Sequence, residues 1–481
     1  MTYLKLIFQM FRGGLMGSGK RNKILVIPVE INVRELNGAI KLAHEAAKKG
    51  WFVIIGGKSS LFPIIPFLPR AFVYLKSIVP GEVHIQKSLR RFGHRNICHD
   101  IEGLTPSNGP SGIKLRFSSA SIEEVSHVFF WGRRQWQDTV QQFPELKEKS
   151  SVSGSPIVDF WHAHQAWLAK TRQKPDDILF ATSFPIVNHP MGKEYFYRSI
   201  NDAAPEALKE FKADFDQDAE IQQLGFDLYQ DLLVNVAEAF PHRTIYLRPH
   251  PTEDQHVWDR IKQKHKNIVF AREGEIGSWF DKVGYFIHYN STTALQASFY
   301  GLEIYSLLPR DRTGIEARFS EPVRLVTTEC DSSEAIISTI AADAEQTGAS
   351  QAFTSIGEFL KNAQQGHEQR GASTIVTQLD TLFETSEKMK MPRGSLIDAF
   401  MTLTVKPLII SCLAWISYHA PFHPGRMKQL KNRYIYGKLK QPEYDMQVIK
   451  ESLDIIGASD ADTRLNMISR KIFILTSADD A

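Results

Sequence analysis

From Lys23 onward, short apolar runs rich in β-branched residues alternate with longer stretches whose apolar positions recur at helical spacing. That is the pattern of an α/β chain with buried parallel strands. "KILVIPV" gives way to the polar "EINVREL", then to "NGAIKLAHEAAKKG", which stops at Gly50, and then to "WFVIIGG". The result is a βαβ opening whose helix ends on a residue without a Cβ. Apolar runs at "AFVYLKS", "RNICHD" and "HVFFWG", separated by helix-like stretches, extend a first α/β domain over 23–170. The polar segment 169–177 reads as a linker, and the alternation restarts at "ILFATSF" to give a second α/β domain over 178–385. Residues 1–22 read as a lead-in and 386–481 as a mainly helical extension. The predicted fold is therefore α/β, with two doubly wound Rossmann-like domains facing a cleft, the usual place for a two-substrate site.

Two segments concentrate polar chemistry at predicted strand ends, "TIYLRPHPTED" (244–254) and "YFIHYNSTTALQASFYG" (285–301). In open α/β sheets ligands sit at the carboxyl ends of strands. Arg248, His250, Ser291, Thr292 and Thr293 are accordingly expected to converge on one anion, with hydroxyls and backbone N–H groups satisfying phosphate oxygens. An imidazole suits that task as a cation or as a neutral N–H donor. The bland reading of "NSTTA" is a helix cap, which is compatible with anion binding.

Carboxylates fall at the other strand ends. Glu30, Arg34 and Glu35 lie in the first βα loop, where Glu30 and Arg34 could form only a local ion pair. Asp100 and Glu102 follow another strand, and such paired acids can divide nucleophile and acid/base work. Asp159 sits after a Gly-Ser-Pro turn and either faces the cleft or caps a helix. Thr182, Ser183 and Asn188 open the second domain with the same choice between substrate contact and capping.

Composition narrows the partners. The chain has 481 residues, 43% hydrophobic and 23% charged, enough for two or three globular domains. Its formal net charge of +3, without basic repeats, argues against nucleic acid. Cys98, Cys330 and Cys412 are far apart and form no CxxC, which fits a reducing compartment and ordinary buried or partly buried thiols. Neither the cysteines nor the scattered histidines form a metal pattern, so we expect no bound metal and no cofactor. "GLMGSGK" (14–20) imitates a P-loop, but Arg21 replaces the required Ser/Thr and no strand precedes it. "IIGGKSS" is not GxGxxG, which disfavours NAD.

No run of about eighteen uninterrupted apolar residues appears, since Asp398, Lys406 and Pro407 break the best candidate, 396–419. The start lacks the cleavage pattern of a signal peptide. We expect a cytoplasmic protein. Residues 1–14, 396–419 and the basic 423–440 are read as docked helices, with contact at the inner face of the plasma membrane as the alternative.

Taken in order, "IPVEINVREL", "DIEGL", "FFWG", "SGSPIVDF", "LRPHPTED" and "HYNSTTALQASFYG" resemble a family of bacterial surface-carbohydrate biosynthesis proteins with a glycosyltransferase-B-like fold. That family is similar to capsule and O-antigen transferases that use CMP-activated 3-deoxy-octulosonic acid (Kdo), and more distantly to sialyltransferases. The resemblance implies that His250 and Pro251, with Ser291, Thr292 and Thr293, hold the CMP phosphate. It makes 23–170 the acceptor side and 178–385 the nucleotide-sugar side. The chain departs from the family at Ile101, where a second acid is common, and at Ile157, where an arginine is common.

The reading that follows is a glycosyltransferase moving an acidic sugar from a CMP donor such as CMP-Kdo to a glycan or lipid-linked glycan. Glu30, Glu35, Asp100 and Glu102 are its catalytic candidates, and Arg34, Asp159, Thr182, Ser183 and Asn188 its substrate contacts. A nucleotide-sugar 2-epimerase or a CDP-polyol phosphotransferase would use the same pocket. A non-catalytic glycan-assembly partner is the reading from another class.

Overall fold

The structure, a computed structural model, describes residues 23–101, 103, 109–169, 176–203, 205–250, 252–272, 274–309, 321–343, 370–385, 395–419, 430–431, 434–435, 437, 443–458 and 462–478. The lead-in 1–22, Glu102 and Pro251 lie outside these residues. The chain forms two compact units, each built on its own sheet.

The first unit contains strands β1 (Ile24–Val29), β2 (Phe52–Gly57), β3 (Phe72–Leu75), β4 (Arg95–His99), β5 (His127–Phe130) and β6 (Ser150–Val152). These pair in parallel in the order β2-β1-β3-β4-β5-β6. Every residue of β1 is buried because both faces of the sheet are covered. Ile24 and Val26 join a core with Leu89, Ile122 and Leu403. Leu25, Ile27 and Val29 join another with Ile40, Ala43, Ile375 and Leu379. That alternation of sides turns an unbroken apolar run into a central strand.

The unit also recruits distant sequence. The helix Gly371–Glu384, placed by the sequence reading at the end of the second domain, belongs to the first unit. Its first two N–H groups, of Gly371 and Ala372, donate to Asp159 at 3.1 and 2.8 Å. A Cβ on Gly371 would lie 2.5 Å from the Ser155 nitrogen, so only glycine fits. The extension 386–481 is helical over Leu396–His419 and Met446–Ile455, and then adds a hairpin that its composition did not announce. Strands β13 (Thr463–Ser469) and β14 (Ile472–Ser477) pair antiparallel with each other, and β14 pairs antiparallel with β2.

Asp398, Lys406 and Pro407 do not interrupt the helix Leu396–His419. A π-helical turn over Met401–Val405 precedes Pro407, which loosens the backbone where the proline lacks an N–H and crowds the carbonyl four residues back. Cys98 and Cys330 are buried, but Cys412 on this helix is exposed, contrary to expectation.

The second unit is wholly parallel. Strands β7 (Ile178–Ala181), β8 (Ile245–Arg248), β9 (Ile268–Phe270), β10 (Tyr285–His288), β11 (Glu303–Leu307) and β12 (Thr328–Cys330) stand in the order β12-β11-β10-β7-β8-β9. In each sheet the strand order reverses once, between β1 and β3 in the first unit and between β7 and β10 in the second. Crossovers leave opposite faces at such a switch point, opening a crevice at the strands' carboxyl ends.

Candidate functional site

In the second unit His288, Ala181 and Arg248 are in register across β10, β7 and β8, so the loops that follow share one rim. The loop after β10 turns through Asn290, the one non-glycine residue with positive φ (38°) among the described residues. Asparagine tolerates this left-handed conformation better than most residues. Beyond it the Ser291 and Thr293 hydroxyls lie 2.7 Å apart, half-buried, while Thr292 is exposed.

A buried imidazole sets the loop. His288 Nδ1 accepts the Ser291 N–H at 3.2 Å, and Nε2 lies 3.0 Å from the Thr327 hydroxyl, which itself donates to the Val323 carbonyl. The neutral ring therefore carries its proton on Nε2. Burial holds its pKa down at about 3. The adjacent Tyr289 is packed so tightly against Gly225 that a Cβ there would collide with its ring.

On the far side of β7, His250 Nδ1 accepts the Thr252 N–H at 3.3 Å and lies 2.7 Å from its hydroxyl. In the neutral ring Nε2 is then the protonated nitrogen, a hydrogen-bond donor. Arg248 is committed to structure, its guanidinium donating to the carbonyls of Ala271 and Gly274 at 2.7 and 2.8 Å. Burial draws its pKa down, with Glu275 opposing.

The organiser of this rim is Glu253, which the sequence reading passed over inside "PHPTED". One oxygen accepts the Thr182 hydroxyl at 2.9 Å, the Phe184 N–H at 3.0 Å and the His250 N–H at 3.2 Å. The other accepts Asn188 Nδ2 and Trp258 Nε1, both at 3.2 Å. Thr182 and Asn188 thus serve to join the β7 and β8 loops, and Ser183 lies half-buried between Thr182 and Phe184. Burial raises the Glu253 pKa, against the pull of these donors. The signal available in sequence was an acid three residues after His250, spaced to accept the backbone N–H of its own turn.

At the switch point of the first unit stands a closed ion cluster. Glu30 follows β1, Lys58 follows β2 and Lys76 follows β3. Lys76 lies 3.1 Å from Glu30 and 3.5 Å from Glu35, and Lys58 lies 3.5 Å from Glu30 and 2.5 Å from Glu82. Glu30 is thus paired with lysines from neighbouring strand ends, and Arg34 is exposed. Glu35 accepts the N–H groups of Glu30 and Ile31 at 2.7 and 3.1 Å, which fixes the turn from β1 into the helix Asn32–Lys48. Burial raises its pKa, with Lys76 and the two N–H groups pulling back. Burial works against the Lys58 ammonium, but Glu82 and Glu30 outweigh it and hold its pKa high.

Asp100, after β4, is gripped by Arg116 through Nε at 2.7 Å and through Nη2, and receives Gln135 Nε2 at 3.3 Å. Beside it the indole N–H of Trp131 is buried with no hydrogen-bond partner among the described residues. Trp131 closes the "HVFFWG" strand and was not singled out from sequence. Asp159 is buried as the cap of Gly371–Glu384, and desolvation raises its pKa against the two N–H groups it accepts. Among the described residues no group of three or more His, Cys, Asp or Glu is placed to hold a metal.

No protein-family model matches the chain, and neither does any curated protein. Among solved structures it is similar to a putative UDP-N-acetylglucosamine 2-epimerase from Listeria monocytogenes, at 12% identity and TM-score 0.44, covering 78% of this chain and all of that one. It is similar to HepE of Anabaena, solved with UDP and glucose, at 11% identity and TM-score 0.37, covering 76% and 100%. A glycosyltransferase from Rickettsia africae is similar at 11% identity and TM-score 0.39, covering 76% and 98%. Likeness at this level decides neither substrate nor reaction.

Proposed function

We propose that the chain is a glycosyltransferase of bacterial surface-polysaccharide assembly that binds a nucleotide sugar through the second unit. The observation that carries this reading is the Ser291/Thr293 hydroxyl pair at the β7/β10 switch point, held by the buried His288 and the left-handed Asn290. Hydroxyls of fixed geometry, with the His250 imidazole two strands away, suit a phosphate whose charge grows as the sugar leaves. The preferred donor is CMP-linked and acidic, such as CMP-Kdo, on the motif resemblance. The acceptor is a glycan or lipid-linked glycan on the side of the first unit.

Among the catalytic candidates, Glu30 is the carboxylate we propose as acid/base group. It stands half-buried at the first unit's switch point, whereas Glu35 is held by backbone N–H groups and Asp100 by a bidentate arginine. Thr182, Asn188 and Asp159 contribute by positioning.

Thermal unfolding with CMP, CDP, UDP and GDP tests the donor, because a ligand that binds only the folded state raises its stability by mass action. We expect CMP to raise the melting temperature and Ser291→Ala/Thr293→Val to abolish that rise. Stabilisation by UDP alone would overturn the CMP assignment. Conversion of a nucleotide sugar without any acceptor would make the chain a 2-epimerase instead.

A further inference from the structure

The helix Leu396–His419 is apolar along most of its length and packs mainly at its start. Ala399, Leu403 and Thr404 are buried against the first unit, and the Thr404 hydroxyl donates to the Pro63 carbonyl at 3.1 Å. Beyond Lys406 little is buried. Leu408, Ile409, Ile410, Leu413, Trp415 and Ile416 are all exposed, Ile409 by 51% and Trp415 by 53%, and only Ala414 and Ser417 are buried there. These side chains point around most of the helix circumference, at 100° per residue. Phe67 continues the surface from the body of the unit, 54% exposed and edge-on to Phe400.

A helix docking on a protein groove presents one apolar stripe, whereas a helix apolar all round is surrounded by core or by lipid. Among the described residues this one has little core around it beyond Lys406. Its flanking sequence supplies the complementary charge: Lys388, Lys390 and Arg393 precede it, and 423–440 carry six lysines and arginines with no acid. Basic clusters beside an apolar helix are attracted to anionic headgroups.

Length decides how the helix meets the bilayer. Leu396–His419 has 24 residues, but its first part is fastened to the unit through Thr404 and Leu403. The largely exposed portion Lys406–His419, whose Tyr418 ring packs on Tyr434, has 14 residues, roughly 21 Å at about 1.5 Å per residue, against a hydrocarbon core of about 30 Å. It can enter a leaflet without crossing. We infer that this protein is a monotopic membrane protein, held to an anionic lipid surface by partial insertion of 406–419 and by the basic residues on either side.

Cys412 gives a direct probe, because Cys98 and Cys330 are buried and a thiol-reactive environment-sensitive dye will label the exposed residue of the full chain. With vesicles of phosphatidylcholine and phosphatidylglycerol, the dye emission should shift to the blue, lipid-borne quenchers should quench it, and the protein should co-sediment. Vesicles of phosphatidylcholine alone should bind at least about tenfold more weakly, and raised salt should narrow that gap. Ile409→Glu/Ile416→Glu, at exposed positions, should keep the circular dichroism of the parent and lose about tenfold or more in vesicle binding. The inference is overturned if the full chain does not bind anionic vesicles. It is equally overturned if the double variant binds as tightly as the parent, which would leave charge alone at work. It also fails if the parent is a dimer that the double substitution makes monomeric while the dye never enters lipid, since the helix would then cover a second copy.

Discussion

The two switch points occupy the same place in their sheets and are furnished in opposite ways. In the first unit, charges meet charges: Glu30 and Glu35 are matched by Lys58 and Lys76, and Asp100 by Arg116. In the second, the buried Glu253 accepts from backbone and neutral side-chain donors and the half-buried Arg248 donates to backbone carbonyls, leaving hydroxyls at the rim. Residues that look equally polar in sequence therefore do different work. Charge placed at a strand end can be spent on the loop that carries it, as with Glu35 and Glu253, before any ligand is considered.

The units also differ in their buried histidines, and acid separates them most strongly. Among the described residues, burial holds His94, His99, His127 and His164 of the first unit at about 4, but only His288 of the second comparably low, at about 3. A histidine depressed on folding contributes stability that is present above its unfolded pKa near 6.5 and is lost as pH falls towards the folded value. Each raised carboxylate acts with the opposite sign, and both units have two: Glu35 and Asp159, against Glu253 and Glu275. Between pH 6.5 and 5 each histidine costs at most about 1.4 kcal/mol per pH unit, so four outweigh one by several kcal/mol. Pulse proteolysis at pH 7 and pH 5, with fragments assigned by mass spectrometry, should cut the first unit first. Simultaneous cleavage would break the comparison.

Removing Glu253 is the largest single substitution we predict. Glu253→Ala takes the acceptor from five donors, of which the Thr182 hydroxyl, the Phe184 N–H and the Trp258 indole are buried with it and each cost about 1–3 kcal/mol when unsatisfied, so a loss of about 4 kcal/mol or more is expected in urea unfolding. Glu253→Gln keeps one acceptor oxygen and should lose roughly half as much. Equal, small losses would mean that the β7 and β8 loops hold each other without it. The counterpart in the first unit is Asp159→Ala, which uncaps Gly371–Glu384 and should cost about 2 kcal/mol. A cost below about 0.5 kcal/mol would show that the apolar contacts of Ile375 and Leu379 suffice to seat that helix.

These anchors mark the boundary of what the sequence made legible. β1, β2, β8 and β10 begin as apolar runs bounded by turn or polar residues, and each appears as a strand where the pattern put it. The helix Gly371–Glu384 has an equally clear pattern but was assigned to its sequence neighbours, because what places it is Asp159, 212 residues away. The closing hairpin escaped notice because its turn, Arg470–Lys471, lacks the Asn-Gly or Gly signal that announces two-residue hairpins. At the second unit's rim, the placement of His250, Ser291 and Thr293 just beyond strand ends was readable from the apolar-to-polar pattern. The contacts of His288 and Glu253 were not, since burial by other segments makes them.

The smallest effect on stability should accompany the sharpest effect on binding. Thr293→Val replaces a half-buried hydroxyl by a methyl of similar volume, and the Ser291 hydroxyl keeps its contact to the Thr293 N–H at 3.4 Å. Stability should change by less than about 1 kcal/mol, as for the loss of one ordinary hydrogen bond. A hydroxyl that donates to a phosphate is worth more, because hydrogen bonds to charged groups contribute about 1.5–3 kcal/mol, so nucleotide affinity should fall about tenfold to a hundredfold. Titration calorimetry with CMP would measure it. Lys76→Met in the first unit is the matched control: it takes one lysine from Glu30 and one from Glu35 but should leave CMP affinity unchanged. If both substitutions weakened the nucleotide equally, the division of labour between the two rims would be wrong. If only Thr293→Val did so, the hydroxyl pair would be the part of the rim that meets the ligand, with His288 and Glu253 the groups that hold it in place.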